Sequence, residues 1–336
     1  MSSAQIVIST NVFDAHTDVL IDLLVRRGHE PIRVNSSELP GGAVLSARLD
    51  GPEWTGTLHV TAGGRTFAWE DVTAVWWRKP TGFGLPADLS EWEREFAEEE
   101  LRHATGGLWA SLDCYWMSRP DDIRRAGYKL EQLQRARRLG LAVPRTLISS
   151  DPAAVREFAD DCDGRIVYKV LTDPYLMAGR TVDRNHDADV EPRFVATTLV
   201  TAAELAALES TVRTVPCQFQ EFVEKRVEYR VTVIGDDLFV AEISPADGPP
   251  PGVDWRTETD RLRMRPGSLP DDVAEACLAL VRSYGLQFSA IDLVRDRDGR
   301  LLFLESNPNG QFLHVEQRVP ELRMADAVAT RLITGR

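Results

Sequence analysis

The N-terminal part of the sequence alternates between short apolar runs and one amphipathic segment. Residues 6–9 form an apolar run, and residues 14–27 place apolar side chains at the spacing of one helical face. Gly28 then ends the helix, and another apolar run begins at Ile32. This order predicts a βαβ unit at the start of the chain.

Further strands and helices are predicted from the two-residue alternation of strands and the 3.6-residue repeat of helices. We predict strands at 43–50, 56–62, 65–70, 72–78, 166–170, 217–222, 228–234, 238–244, 288–295 and 301–306, and helices at 90–116, 121–139, 152–161, 201–208, 270–284 and 319–330. Residues 119–121 resemble a linker, and the polar stretch 172–192 is predicted to be a long loop. The pattern predicts an α+β protein with three lobes, at 1–118, 119–215 and 216–336.

The composition is that of a folded, acidic protein. With 336 residues, of which 43% are hydrophobic, the chain can bury a sizeable core, and its length favours two or three domains. Its net charge of −13 results from 39 Lys and Arg against 52 Asp and Glu. Nucleic acids and anionic membranes present negative surfaces too, so we expect neither as a partner.

The spacing of the cysteines and the hydropathy of the chain bear on its redox compartment and on membrane insertion. The four cysteines form no CxxC pair and have no His at ligand spacing, which argues against a zinc site and a disulfide framework. The opening MSSAQIVIST has no basic region followed by an apolar run, and no stretch of about 18 apolar residues occurs. We therefore expect a cytoplasmic protein with reduced thiols and no membrane span.

Three oxygen-bearing side chains on two C-terminal strands give the strongest chemical signal. Asp292 lies between apolar residues in one strand, and Glu305 and Asn307 are two apart in the next, so a hairpin could bring them together on one face. Hard oxygen ligands without sulfur or imidazole suit Mg²⁺, which usually binds phosphate oxygens as well. The alternative is a hairpin with solvated polar ends. Apolar neighbours disfavour it, because an uncompensated buried carboxylate is costly.

A set of basic residues could bind a triphosphate. Lys169 lies in the middle of an apolar strand, where Lys is rarely buried without a partner such as phosphate. Together with Lys129, Arg230 and Arg256 it could form a cationic clamp, which acts where charge builds up in phosphoryl transfer. Taken alone, Lys129 would by default be assigned to a solvated helix face, and the two arginines have the same ambiguity.

The segment QFQEFVE at 218–224 could bind a nucleoside. A strand that leads into an extended segment can offer backbone N–H and C=O groups to an adenine edge. Phe222 would cover the base, and Glu224 or Glu228 could accept hydrogen bonds from ribose hydroxyls. By itself the signal is weak, because many strands end in acidic residues.

In order and approximate spacing, these residues resemble the ATP-grasp superfamily over nearly the whole chain. The resemblance is carried by Lys129, Lys169, the QEFVE segment at 220–224, Glu228, Arg230, Asp292, Glu305 and Asn307. Within the superfamily, the runs at 75–79, 253–256 and 304–312 resemble the graspetide maturases, which are microviridin-type ω-ester or ω-amide ligases of ribosomal peptides.

This resemblance implies an ATP-grasp fold in which an N-terminal α/β pre-grasp domain precedes two grasp lobes that bind ATP between them. The implied contacts are Lys129 and Lys169 with phosphates, Gln220, Glu221 and Val223 with the adenine edge, Glu224 or Glu228 with ribose, Arg230 and Arg256 with the γ-phosphate and acyl phosphate, and Asp292, Glu305 and Asn307 with Mg²⁺. One departure concerns the Gly-rich lid of many ATP-grasp enzymes. Residues 172–181 contain only Gly179, which leaves the lid contacts unassigned.

The implied reaction is ATP-dependent macrocyclisation of a precursor peptide. An Asp or Glu carboxylate of the peptide would be activated as an acyl phosphate and attacked by a Thr or Ser hydroxyl or a Lys amine. The family also suggests a homodimer. The nearest alternative is an ATP-grasp ligase that adds an amino acid to a small carboxylate or a protein C-terminus. A nucleotide-responsive binding protein is a second alternative, which the full set of metal ligands disfavours.

The adjacent residues Trp76 and Trp77 lie in the strand predicted at 72–78. Neighbouring residues in a strand face opposite sides, so both can be in a core only if the strand is covered on both faces. We expect one in the core and one at an interface. A role in binding a leader peptide or a second subunit is the alternative.

Overall fold

The computed structural model describes residues 5–61, 64–172, 175–176, 193–246, 253 and 261–336. These residues form two compact units. The first contains the described part of 1–120 together with 323–336, and the second contains the described parts of 121–177 and 192–322. Within the described ranges, every helix is too short or too polar to span a bilayer. The three-lobe division stays a prediction.

Strands and helices follow one another in the order expected for an α+β chain. The strands are β1 (Gln5–Thr10), β2 (Ile32–Asn35), β3 (Ala43–Arg48), β4 (Thr55–Val60), β5 (Arg65–Ala68), β6 (Val72–Trp77), β7 (Tyr115–Trp116), β8 (Thr146–Ser149), β9 (Ile166–Lys169), β10 (Tyr175–Leu176), β11 (Arg193–Phe194), β12 (Thr198–Val200), β13 (Cys217–Glu221), β14 (Lys225–Ile234), β15 (Asp237–Pro245), β16 (Leu262–Pro266), β17 (Phe288–Asp296) and β18 (Leu301–Asn307). The α-helices are α1 (Ala15–Arg26), α2 (Glu91–Ser111), α3 (Pro120–Ala126), α4 (Lys129–Arg138), α5 (Pro152–Asp161), α6 (Ala202–Thr214), α7 (Asp271–Ser283), α8 (Leu313–Arg318) and α9 (Met324–Thr334).

The first unit is built on a parallel sheet with the strand order β2-β1-β6-β7. β1 pairs in parallel with both β2 and β6, as the predicted βαβ unit requires. A three-stranded antiparallel sheet, β3-β4-β5, contributes to the same apolar core. The C-terminal helix α9 also belongs to this unit, where Arg27 donates hydrogen bonds to Asp326 and Thr330. The N-terminal unit therefore has the α/β character expected from the sequence.

The two adjacent tryptophans of β6 both pack inside the first unit. Trp76 is buried, and the Arg78 guanidinium lies 5.6 Å from its ring centre. Trp77 points to the opposite face and packs edge to face on Trp109 of α2, with 6.0 Å between ring centres. Parallel sheets are usually covered on both faces, which accommodates both side chains. The tryptophan expected at an interface is thus half-buried against the core.

A buried ionic cluster lies where β1 and β6 end. Asp14 caps α1 and accepts hydrogen bonds from the hydroxyls of Thr10 and Thr17, each at 2.8 Å. The Arg78 guanidinium, only 1% exposed, lies 3.7 Å from the same carboxylate. Burial alone would raise the pKa of Asp14, but the hydrogen bond with His16, the charge of Arg78 and the two hydroxyls outweigh it and hold this pKa well below its usual range. The buried carboxylate is therefore ionised and compensated.

The second unit contains two larger sheets, with strand orders β12-β9-β13-β8 and β16-β15-β14-β17-β18. Both are antiparallel. Side chains from α4 and α7 pack on one face of the five-stranded sheet, in a core that includes Leu133, Leu280, Tyr229, Ile291 and Phe303. Because side chains alternate along a strand, the residues between these apolar positions face the other side of the sheet. That polar face carries the residues singled out in the sequence.

Several predicted boundaries are wrong. The helix predicted at 90–116 ends at Ser111, and the strand-favouring pair Tyr115–Trp116 forms β7 beside β6. The helix predicted at 121–139 is divided into α3 and α4 at Gly127, and α3 already begins in the predicted linker. The helix predicted at 319–330 begins later, as α9, and the short helix α8 before it was not predicted. Most of the loop predicted at 172–192 lies outside the described residues, although Tyr175–Leu176 pairs with β11.

Replacing Asp14 with Asn tests the buried charge without removing the helix cap, since Asn caps a helix as well as Asp does. We expect Asp14→Asn to lower the free energy of unfolding by about 3 kcal/mol, because Arg78 would lose its carboxylate partner. The control is Asp18→Asn, an exposed residue of the same helix paired with Arg33, which should cost less than about 1 kcal/mol. Urea unfolding at neutral pH measures both.

The pH dependence of stability gives a second readout on the same variants. The pKa of Asp14 is lower in the folded protein than in the unfolded chain, so its contribution is present above its ordinary pKa of about 4. It is lost as the pH falls through the folded-state pKa. Wild type should therefore lose more stability than Asp14→Asn on acidification below about pH 4. Parallel pH profiles for the two proteins would contradict the assignment.

Candidate active site

Four site residues lie on one face of the five-stranded sheet because of its strand register. Arg230 of β14 is paired with Asp292 of β17, and Asp292 is paired with Glu305 of β18. Asn307 lies two residues beyond Glu305, opposite Ala290. Residues directly opposite each other in neighbouring strands point to the same side of a sheet. The structure thus brings together the three residues predicted to bind a cation and one of the predicted arginines.

A bulge in β18 decides where Glu305 points. Leu293 pairs with Phe303, whereas the preceding residue Asp292 pairs with Glu305, so Leu304 is an extra residue in β18. Phe303 is part of the core, and regular alternation would direct Glu305 into that core as well. A bulge shifts the alternation by one residue and re-aims the side chains that follow. Glu305 thereby joins Asp292 on the polar face.

Charged partners compensate both carboxylates. Arg230 Nη1 donates to Asp292 Oδ1 at 2.8 Å, and both side chains are more than nine-tenths buried. Lys129 Nζ, at the start of α4, lies 2.5 Å from Glu305 Oε2. Buried charges require such partners, since an unpaired one costs several kcal/mol. Lys129 is therefore a residue of this polar site, which excludes the solvated helix face considered above.

The backbone after β18 closes on the Arg230 guanidinium. Arg230 Nη2 donates to the carbonyl oxygen of Gln311 at 3.1 Å. A methyl group built on Gly310 would lie 2.9 Å from the same Nη2 atom and would also collide with Ala290. Only glycine allows this approach. The sequence analysis included Gly310 in the run 304–312 but gave it no role.

The oxygen set fits a hard divalent cation. Within the described ranges, no cluster of three or more His, Cys, Asp or Glu residues has the geometry of a metal site. A cation bound at this face would be held by the carboxylates of Asp292 and Glu305 and the amide oxygen of Asn307, which accepts a hydrogen bond from Asn309 N at 3.1 Å. Mg²⁺ suits such a set because it takes few protein ligands and completes its octahedron with water and phosphate oxygens.

Lys169 and Gln220 form a pair in the other sheet of the second unit. Lys169 Nζ donates to Gln220 Oε1 at 2.9 Å, and Gln220 Nε2 donates to Thr146 Oγ1 at 3.0 Å. Both residues alternate with Tyr168 and Phe219, whose rings pack in the core of this sheet. The buried Gln220 amide thus orients Lys169 on the face away from that core.

Arginines engage the acidic residues of the segment after β13. The backbone N–H and the guanidinium of Arg145 both donate to the Glu221 carboxylate. Arg165 stacks over Phe222 at 4.6 Å and pairs with Glu224, which also pairs with Arg297. The hydrogen bond from Arg165 and the charge of Arg297 lower the pKa of Glu224. Two of the three acidic residues predicted to contact the nucleoside, Glu221 and Glu224, are thus already bound to arginines.

Glu228 has a different environment. It is buried on β14, two residues before Arg230 and on the same face, and it accepts a hydrogen bond from Lys225 Nζ at 2.7 Å. Lys225 Nζ also donates to the carbonyl oxygen of Val253 at 3.0 Å. The sequence analysis gave Lys225 no role, and only its spacing to Glu228 could have indicated one. Arg256, three residues after Val253, and Gly179 lie outside the described residues.

The chain is similar to proteins of known family and structure. A family model described as the MvdD pre-ATP-grasp domain matches residues 6–124. Among solved structures, the macrocyclase MdnC of Microcystis aeruginosa, bound with its precursor peptide MdnA, shares 29% identity with a TM-score of 0.83, covering 98% of this chain and 100% of MdnC. A RiPP-associated ATP-grasp ligase of Chryseobacterium gregarium, in complex with ADP and with a leader and core peptide, shares 27% identity with a TM-score of 0.85, covering 99% and 97%.

A third solved structure, the macrocyclase MdnB of Microcystis aeruginosa, shares 27% identity with a TM-score of 0.78, covering 98% of this chain and 99% of MdnB. These matches run over nearly the full length of every chain compared. The chain is thus similar to ATP-grasp ligases of precursor peptides over nearly its whole length. Its expected resemblance to graspetide maturases, its α+β fold class and its class as an ATP-dependent ligase are confirmed. No curated protein sequence matches this ATP-grasp ligase.

Gly310→Ala tests whether close packing holds Arg230 in place. The added methyl group would push the guanidinium away from Asp292, and a displacement of about 1 Å at a reacting centre can cost on the order of 100-fold in rate. We expect such a loss in ATP turnover, with thermal unfolding still cooperative. Gly106→Ala is the control, since a methyl group there meets no atom within 4 Å. Full activity of Gly310→Ala would show that Arg230 needs no such restraint.

Proposed function

We propose that this ATP-grasp ligase is a macrocyclase of a ribosomally made precursor peptide. It activates Asp or Glu side chains of the peptide as acyl phosphates and joins them to Thr or Ser hydroxyls, or to a Lys amine. One observation carries the proposal: Arg230, Asp292, Glu305 and Asn307 share one sheet face with Lys129, in a chain that matches peptide macrocyclases over its full length.

The nucleotide position follows from which groups are already engaged. Lys129 and Lys169 would contact the phosphates, and Gln220 would orient Lys169. The N–H groups of Glu221 and Phe222 donate to the carbonyl oxygens of Arg145 and Arg165, so the N–H of Val223 is the next donor along the segment for an adenine edge. Glu224, which is bound by Arg165 and Arg297, and Glu228, which is bound by Lys225, are the two candidates for the ribose hydroxyls.

Asp292, Glu305 and Asn307 would hold Mg²⁺. When bound, the cation would supply positive charge to the phosphate oxygens as negative charge builds up on them. The chain itself contributes the placement of these ligands: Arg230 fixes Asp292, and Lys129 contacts Glu305. Glu305→Gln should therefore abolish turnover while leaving the protein folded, and Asp292→Asn should abolish turnover and also lower the free energy of unfolding, because Arg230 loses its buried partner.

The reaction balances without a nucleophile on the enzyme. A peptide carboxylate oxygen attacks the γ-phosphorus of ATP and ADP leaves, which gives an acyl phosphate. A hydroxyl or amine of the same peptide then attacks the carbonyl carbon, loses its proton and expels phosphate, which closes the ring. Arg230 and Arg256 would stabilise the transferring phosphoryl group. Positioning the two peptide groups supplies most of the rate enhancement.

Reconstitution tests the proposed function. The protein should be mixed with ATP, Mg²⁺ and the precursor peptide encoded by a short reading frame next to its gene, and the peptide weighed by mass spectrometry. We expect the loss of one water per ring, with ADP and phosphate formed in equal amounts. Mild alkaline hydrolysis would restore the water to esters and leave amides intact. An unchanged or a phosphorylated peptide would contradict the proposal.

The alternative ligase shares the ATP site and differs in its substrates. It would add a free amino acid to a small carboxylate or to a protein C-terminus. Phosphate release that requires free amino acids, and no precursor peptide, would favour it. We retain the macrocyclase because the matched MdnC and Chryseobacterium structures contain precursor-derived peptides.

We also propose that the enzyme acts as a homodimer in the cytoplasm. ATP is available there, and the four cysteines are free thiols. The N-terminal half of α2 exposes Trp92 and Phe96, 70% and 63% accessible, one helical turn apart on one face. An exposed aromatic pair of this kind favours burial against a second copy of the chain.

Charge substitution on α2 tests the dimer. The double variant Trp92→Glu/Phe96→Glu should sediment as a monomer at concentrations where wild type sediments as a dimer, because two charges would have to be buried in the interface. Ala104→Glu, exposed on the same helix but about 100° around its axis from the Trp92–Phe96 face, should leave the dimer intact. A wild-type monomer, or a variant that stays dimeric, would show that this face is not the interface.

A further inference from the structure

Gln132 is fully buried on α4, one helical turn after Lys129. Its side-chain Nε2 donates to the carbonyl oxygen of Ser306 at 2.7 Å, and its Oε1 accepts from Ser306 N at 2.9 Å. Nε2 also donates to the carbonyl oxygen of Ala126 at 2.7 Å. Both N–H groups face carbonyl oxygens and the oxygen faces an N–H group, so only one orientation of the amide satisfies all three partners.

Ser306 is the residue between Glu305 and Asn307. By contacting both its N–H and its C=O, the Gln132 amide occupies the place of a neighbouring strand on the outer edge of β18, the last strand of its sheet. On the other side of the Leu304 bulge, Phe303 N donates to the carbonyl oxygen of Ala142 at 2.7 Å. The bulge is thus fastened on both sides, by one backbone group and one side-chain amide.

We propose that Gln132 is a positioning residue for the cation site: by fixing the backbone of Ser306 it holds the side chains of Glu305 and Asn307 on the polar face, opposite Asp292. This inference rests on the proposed function, in which those residues bind Mg²⁺. Gln132 does not touch the cation and acts through the strand.

The geometry explains why an amide, and not an apolar side chain, is buried at this position. A bulge interrupts the regular ladder, and backbone groups near it need other partners, since an unsatisfied buried group costs about 1–3 kcal/mol. A second buried contact, between the Oγ atoms of Ser289 and Ser306 at 2.7 Å, reaches Ser306 only through its side chain. Ser289 therefore offers a control that affects the same neighbourhood without touching the backbone.

The test compares Gln132→Met with Ser289→Ala and with Gln134→Met, an exposed glutamine of the same helix. Methionine fills a similar volume but has no N–H donor. Two quantities are measured for each protein: the Mg²⁺ concentration for half-maximal ATP turnover, and the ADP affinity by calorimetry with and without Mg²⁺. Residues that support metal ligands typically contribute about 10- to 100-fold to affinity or activity.

For Gln132→Met we expect the half-maximal Mg²⁺ concentration to rise about tenfold or more. Mg²⁺ should improve its ADP affinity correspondingly less than in wild type, while the metal-free ADP affinity stays unchanged. Both controls should keep the wild-type Mg²⁺ dependence, even where Ser289→Ala lowers the melting temperature. A purely structural role would lower stability alone and would not move these ratios.

A wild-type Mg²⁺ dependence in folded Gln132→Met overturns the inference. If wild type itself gains no ADP affinity from Mg²⁺, the proposed function fails and not the role of Gln132 alone. Should Gln132→Met not fold, Gln132→Asn gives the same comparison, because it keeps a neutral amide on a side chain that is one methylene too short to reach Ser306. A raised Mg²⁺ requirement in this variant would then support the inference, and a wild-type Mg²⁺ dependence would overturn it.

Discussion

Asp292 and Arg230 lie opposite each other within a five-stranded sheet, where neither charge could be buried alone. Each is held by backbone pairing on both sides, because β14 and β17 have neighbours on either edge. Their side chains therefore have little freedom, and the rest of the polar face is positioned relative to them. Glu305 and Asn307 lie on the edge strand instead, and they reach the same face only through the bulge at Leu304 and the partners that fasten it.

Positive and negative side chains on the polar face are already paired with one another. Lys129 is paired with Glu305 and Arg230 with Asp292, so these four groups sum to zero. A triphosphate alone would add net negative charge to a partly buried surface, and a divalent cation alone would add net positive charge. Binding the two together keeps the surface closer to neutral. In the proposed function, this pairing would therefore favour a nucleotide that arrives with its metal ion, which is how ATP-dependent phosphoryl transfer normally proceeds.

The two-residue alternation of strands correctly predicted that Asp292, Glu305 and Asn307 share a face. In the structure, however, Glu305 reaches that face through a bulge and not through regular alternation. Strict alternation from the core residue Phe303 would place Glu305 among apolar side chains, and only the register against β17 reveals the extra residue. A bulge depends on the neighbouring strand, which sequence periodicity does not contain. The arginine partners of Glu221 and Glu224 escaped prediction for a similar reason, since Arg145 and Arg165 lie 76 and 59 residues away in the chain. No sequence pattern indicated a role for Gln132.

Helix α4 contacts β18 in two ways. Lys129 reaches the Glu305 side chain, and Gln132 binds the backbone of the next residue. At the other end of the helix, Arg135 stacks over Tyr284 beside α7, with 4.2 Å between the guanidinium carbon and the ring centre. Moving α4 relative to β18 would break these contacts together. If the nucleotide binds as proposed, any motion that opens or closes its site should therefore occur between the two sheets of the second unit, with Lys169 on one and the paired carboxylates on the other.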